Sequence, residues 1–151
     1  MYEAKIKELG FELPKAPKPI AAYVAAVKEG NIIYTSGQIP VLNGELKFKG
    51  KVGSELSEDE GYQAARLCAL NCLSVIKDLV GSLDNIEQII KVNGFVNSAP
   101  GFANQPGVIN GASEILVDIF GDKGRHARAA VGVAELPLNA AVEVEIIAKV
   151  K

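Results

Sequence analysis

Residues 124–137, GRHARAAVGVAELP, set the only histidine of the chain, His126, between Arg125 and Arg128 and follow it with very small residues. Read as a strand, this stretch puts Arg128, Ala130, Gly132 and Ala134 on one side and Ala129, Val131 and Val133 on the other. The valine side is expected to face the core. That leaves Arg128 beside a nearly bare surface, open to close approach by a ligand or another backbone. The second concentration of charge is VEVE at 142–145, two glutamates inside a strand of otherwise buried type. Val142, Val144 and Ile146 share the core side, so Glu143, Glu145 and Ile147 fall on the outer one. Taken alone, these charges describe a solvated sheet face. Phe95 and Ile147 on that face instead suit a sheet that meets another subunit. His126 reads as a loop residue near the strand start. One histidine without clustered cysteines supplies too few ligands for a metal.

The elements that must position these residues follow from composition and pattern. The chain has 151 residues, 48% apolar and 23% charged, enough for one domain with its own core. A formal net charge of −2 provides no basic face for nucleic acid. Lys5, Lys7, Lys15 and Lys18 lie in a Pro-containing leader and read as a solvated arm. No apolar run approaches the ~18–20 residues of a membrane span, and MYEAKIKELG lacks a signal core, so a cytoplasmic protein is expected. Cys68 and Cys72 share a helix face with Ala65, Ile76 and Leu79 and are expected as buried thiols in a reducing compartment.

Residues 1–19 read as a leader with one short helix at 2–9. IAAYVAAVKEGNIIYTSGQIP predicts a β-hairpin turning at Gly30, and NGEL at 43–46 a further turn into a short extended piece. SEDE at 57–60 opens a long helix with a capping box, Ser57 and Glu60, and Gly81 ends it. IIKVNGFVN at 89–97 alternates, with Ile90, Val92, Gly94 and Val96 on one side and Lys91, Asn93, Phe95 and Asn97 on the other. After the loop SAPGFANQPG, a second helix is predicted over about 107–120, with Val108, Ala112, Ile115 and Ile119 on one stripe. Two strands, roughly 127–134 and 141–150, finish the chain around LPLN. Two helices on one face of a mixed sheet is the α+β solution this order suggests.

Four segments carry a family resemblance: AAYVAAVKEGNIIYTSGQIP at 21–40, VNGFVNS at 92–98, VINGASEIL at 108–116 and HARAAVGVAELPLNAAVEVEIIAKV at 126–150. They resemble the RidA family, also written YjgF/YER057c/UK114 and formerly labelled endoribonuclease L-PSP. The resemblance divides the chain into a 1–19 leader and a single RidA-like domain, 20–151. It implies a chorismate-mutase-like α+β fold assembled as a homotrimer, with sites in clefts between subunits. It also implies hydrolysis of reactive 2-imino acids to 2-oxo acids and ammonia without metal or organic cofactor. By the same resemblance Arg128 grips the substrate carboxylate, a task suited to its planar fork of donors. Glu143 handles the attacking water. Tyr23, Ser36, Gly37, Asn110 and Ala130 line the substrate, with backbone groups of Ser36 and Gly37 orienting it.

Two departures from the family pattern stand out. Ala130 occupies a position where the best-known branch has cysteine, which leaves only its backbone carbonyl. The loop APGFANQPGVIN is also longer. A simple hairpin centred near Leu138 would set Arg128 opposite residue 148, leaving Glu143 about 17 Å away along the strand. Either the connection is not a tight hairpin or the two residues meet across a subunit boundary. Three readings stay open: an imine hydrolase, a non-catalytic trimer that binds a small carboxylate, and a ribonuclease. Metal-free RNA cleavage wants a paired acid and base, and only one histidine is present.

Overall fold

The protein is described by a computed structural model covering residues 1–151. Helix α1, Tyr2–Glu8, precedes strands β1, Ala26–Glu29, and β2, Ile32–Thr35, which pair antiparallel around Gly30 at φ +60°. Strands β3, Val41–Leu42, and β4, Glu45–Leu46, form a separate ribbon. Its turn, Asn43–Gly44, has both φ values positive, at 54° and 78°, the conformation that Asn-Gly adopts most readily. Helix α2, Glu58–Val80, begins at the predicted capping box: the Glu60 amide donates to Ser57 Oγ and the Ser57 amide to Glu60 Oε1, each at 3.1 Å. Gly81 caps its end at φ +89°. Strand β5, Ile86–Asn97, helix α3, Gln105–Phe120, and strands β6, Ala127–Val133, and β7, Val142–Val150, complete the chain. No helix is long and apolar enough to cross a membrane.

The main sheet runs β1-β2-β7-β5-β6, with β5 and β6 parallel and every other pair antiparallel. Helices α2 and α3 cover one face. Beneath them lie Ile33, Val92, Val96, Val142, Val144, Ile146 and Ala148, all buried. Cys68 and Cys72 are buried there too, their thiols directed at the carbonyls of Val142 and Val144. Burial pushes the Cys72 thiol up to about 12, so it stays protonated and inert.

The last two strands are not a hairpin. Strand β5 lies between β6 and β7, and the connection crosses its end through a tight turn at Pro137–Asn139. Leu138 and Asn139 take φ values of 60° and 58° there. Buried Asn97, the last residue of β5, clamps this crossing. Its Nδ2 donates to Asn139 Oδ1 and to the carbonyls of Ala140 and Gly50, while its Oδ1 accepts from Lys51 Nζ at 2.9 Å. Every hydrogen-bonding group of the amide is thereby engaged in a place water does not reach.

The exposed side of β6 is the opposite of the one the valines suggest. Val131 is 46% exposed, whereas Arg128, Ala130 and Gly132 lie toward α3. The reason is clearance. A Cβ at Gly132 would stand 2.7 Å from Gln105 Nε2, and one at the neighbouring Gly94 would strike Ile109. Around Arg128 and Ala130 the covered side is the small-residue one, although Gly132 near the strand end is exposed. In β5 the pairing slips between Ile89 and Lys91, which buries Ile89 and turns Ile90 outward, against the simple alternation. Val92, Gly94 and Val96 keep the expected side. Helix α3 starts at Gln105 rather than 107, because Asn104 Oδ1 accepts from the Gly107 amide and Pro106 fits the first turn.

The leader is docked. Ile6 is fully buried, Tyr2 meets Phe120 edge-on at 4.6 Å, and the N-terminal amine pairs with Asp84. The four leader lysines are exposed as expected, although Ile6 and Pro14 beside them are buried. The tightest approach in the helical layer is at Gly111 of α3, where a Cβ would lie 2.0 Å from the Tyr62 carbonyl oxygen of α2. Because that obstacle is backbone, Gly111→Ala is expected to destabilise the fold by about 3 kcal/mol. Urea unfolding of the variant measures it. A loss below about 0.5 kcal/mol contradicts this packing.

Candidate functional site

The sheet ladder fixes where each charged side chain stands. Arg128 pairs with Val92, which pairs in turn with Ile146. Three residues along β5, Phe95 pairs with Val131 and with Glu143. Neighbours across a ladder point to the same side, and sides alternate along a strand. Arg128 therefore shares the helix-covered side with Val92, at the sheet edge, and Glu143 shares the outer side with Phe95. Within one chain the two groups do not meet. They are separated by the sheet itself and by about 10 Å along it.

At the edge, Arg128 Nη1 donates to Asn110 Oδ1 at 2.8 Å and to Ser113 Oγ at 3.3 Å, both on α3. Asn110 and Arg128 are thus brought together. Ser113 Oγ also contacts His126 Nε2 at 2.9 Å, and His126 Nδ1 contacts the Gly124 carbonyl at 2.6 Å. Ser113 escaped the sequence reading. Its signal was the i,i+3 spacing from Asn110, which puts both on one helix face. His126 lies in the loop just before β6, as expected, and with Ser113, Arg125 and Arg128 it lines an open pocket. Arg125 itself is exposed and paired with Asp122 at 3.5 Å.

At the far end of the sheet, a cavity of about 170 Å³ is lined by Tyr23, Ala25, Gly37, Gln38 and Lys18, among others, and Glu143 is not part of its wall. Glu143 lies across Gly37, so a Cβ there would stand 2.8 Å from its Cδ. Burial, then the charge of Glu145, raises the Glu143 carboxyl above the usual carboxylate range. Glu145 is itself held by Asn93 Nδ2 at 3.0 Å. Ser36 is spent structurally. Its hydroxyl donates to the Val24 carbonyl at 2.6 Å, its amide to Ala25, and its carbonyl accepts from Gln38. The Gly37 amide has no protein partner, which narrows the expected backbone contact to Gly37. Tyr23 is 55% exposed at the cavity rim. Ala130, half-buried against the core, stands with Arg128 on the helix-covered side.

The profile of the YjgF/chorismate mutase-like endoribonuclease family matches residues 3–150. A solved structure from Agrobacterium tumefaciens, protein Atu1372 of unknown function, is 46% identical and superposes with a TM-score of 0.93, covering 99% of this chain and 92% of that one. Protein TCP17 of Trypanosoma cruzi is 44% identical over 143 residues, 94% of this chain and 89% of its own length. A Dermatophagoides farinae protein named 2-iminobutanoate/2-iminopropanoate deaminase is 34% identical over 134 residues, 89% of this chain and 90% of its own. The chain belongs to the YjgF/chorismate mutase-like family.

The single histidine makes the Arg128 environment directly observable. Burial first, then the positive charge of Arg128, holds the His126 ring below its ordinary value of about 6.5. Above that pH the ring is neutral in both folded and unfolded chains. As pH falls through about 6.5, the unfolded chain takes up the proton first, so stability is lost toward acid. A proton NMR titration is expected to place the folded midpoint below about 6.5 and to move it upward in Arg128→Ala. An unshifted midpoint in both proteins contradicts the contact.

Proposed function

We propose that this protein hydrolyses small 2-imino acids to 2-oxo acids and ammonia, and that a complete site needs two copies of the chain. The observation that carries this reading is the pair of prepared half-sites. One is an arginine anchored by α3 at the sheet edge, and the other a half-buried glutamate with a raised pKa lying over Gly37 on the outer face. The identity with a protein named as an imine deaminase supports the chemistry. Assembly is supported by the outer face, where Val27, Tyr34 and Val131 are exposed around half-buried Phe95 and Ile147. A homotrimer, with the Arg128 edge of one subunit against the Glu143 face of the next, brings the halves together.

In the proposed reaction Arg128 takes the substrate carboxylate through two parallel hydrogen bonds. Gly37, which lies against Glu143, also borders the neighbouring cavity with Tyr23. The Glu143 carboxylate accepts a proton from water as the water oxygen bonds to the imine carbon, forming a carbinolamine. The proton then passes to the nitrogen, the C–N bond breaks with its electron pair leaving on ammonia, and Glu143 takes the hydroxyl proton as the C=O bond forms. A raised pKa suits a group that must both take and return a proton near neutrality. Ala130 in place of a thiol favours a second reading, a binder that holds the 2-oxo acid without turnover, and the two differ in whether ammonia is released.

With freshly generated 2-iminopropanoate, Arg128→Ala is expected to lower kcat/KM by about 10²–10³-fold, and Glu143→Gln to lower kcat by about 10²–10⁴-fold. The acid limb of the wild-type rate profile is expected above the usual glutamate range. Glu145→Gln should move that limb to lower pH, because removing a neighbouring negative charge eases ionisation of Glu143. Unchanged turnover in Arg128→Ala and Glu143→Gln sinks the assignment.

A further inference from the structure

Which edge of the Arg128 guanidinium faces a ligand is decided by Asn110, Ser113 and His126, none of which has a step in the reaction above. The Gly124 carbonyl can only accept, so the 2.6 Å contact puts the His126 proton on Nδ1. In the neutral ring Nε2 then carries a lone pair, and it accepts the hydroxyl proton of Ser113 at 2.9 Å. With its proton committed to the imidazole, the Ser113 oxygen turns its own lone pairs to Arg128 Nη1 at 3.3 Å, while Asn110 Oδ1 takes the other Nη1 proton at 2.8 Å. One guanidinium nitrogen is thus saturated by two acceptors a helical turn apart. The Nε and Nη2 donors, which share the opposite edge of the fork, have no partner in the protomer. That edge is the one that meets a carboxylate with two parallel hydrogen bonds.

We infer that Ser113 and His126 are positioning residues for Arg128: together they fix the guanidinium so that its Nε–Nη2 edge is presented to the carboxylate of the ligand. The inference rests on Arg128 being the carboxylate anchor. Holding the fork before the ligand arrives reduces the ordering left to be done on binding, so the contribution belongs to affinity rather than to the bond-breaking step. Asn110 alone leaves the fork free to swing about a single contact. His126 acts one step further out, by keeping the serine proton off the face that Arg128 uses.

The test uses the full-length protein and two readouts, calorimetric binding of 2-oxobutanoate and turnover of 2-iminopropanoate. Ser113→Ala keeps a strong helix former in α3, so the fold should persist. The substitution is expected to weaken 2-oxobutanoate binding about tenfold, to raise KM in parallel and to leave kcat within about twofold. Ser113→Thr, which restores the hydroxyl, should return both values to within about threefold of wild type. Binding by Ser113→Ala equal to wild type overturns the inference. So does a fall in kcat at constant KM, or a loss of binding that Ser113→Thr fails to repair. If wild type binds 2-oxobutanoate but releases no ammonia from the imine, the catalytic reading falls, and the dissociation constants still decide the positioning role. If Arg128→Ala binds 2-oxobutanoate as wild type does, the anchor and the positioning role fall together.

Discussion

Strand β5 hydrogen-bonds to β6 along one edge and to β7 along the other, and this shared ladder determines where Arg128 and Glu143 stand. Because side chains alternate across a strand, the register that puts Arg128 level with Val92 and Glu143 level with Phe95 sends them to opposite faces. Asn97 secures the arrangement from the end of β5. It engages the backbone of the crossing segment on one side and Lys51 on the other, and it is fully buried. Removing that amide would leave several buried polar groups unpaired, so the β6–β7 crossing and the split between the two half-sites depend on it.

The helical layer meets the same constraint through small residues. Gly94 makes room for α3, and Gly111 makes room for its crossing with α2. The close seat of α3 lets Asn110 and Ser113 reach over the sheet edge to Arg128. On the other side of the sheet, Gly37 does the same for Glu143. Both proposed reactive groups are therefore held at places where the backbone has given up side-chain volume.

Much of this was legible in the chain. Ser57 and Glu60 announce the start of α2, Gly81 announces its end, and the valines and isoleucines of β7 mark its covered side, because each of those signals is local. The pairing of β6 with β5 was not legible, since it depends on a contact between segments some thirty-five residues apart. The covered face of β6 was misleading for a physical reason: valine normally marks the core, but under a closely seated helix alanine and glycine are required instead. The slip at Ile89–Ile90 was hidden because two adjacent isoleucines fit either phase. Of the site, Arg128 and Glu143 stand out by charge within apolar strands, whereas Ser113 is an ordinary helix serine until α3 is laid over β6.

In the proposed reading a single chain carries two incomplete half-sites, and the activity belongs to an assembly of copies. The most direct measurement mixes inactive Arg128→Ala and Glu143→Gln proteins after mild dissociation and follows ammonia release from 2-iminopropanoate. Each mixed interface that joins an intact Arg128 edge to an intact Glu143 face regains a whole site, so equimolar random mixing predicts recovery of roughly a quarter of wild-type activity. Activity that stays at the level of the two parents contradicts a site completed by a second copy.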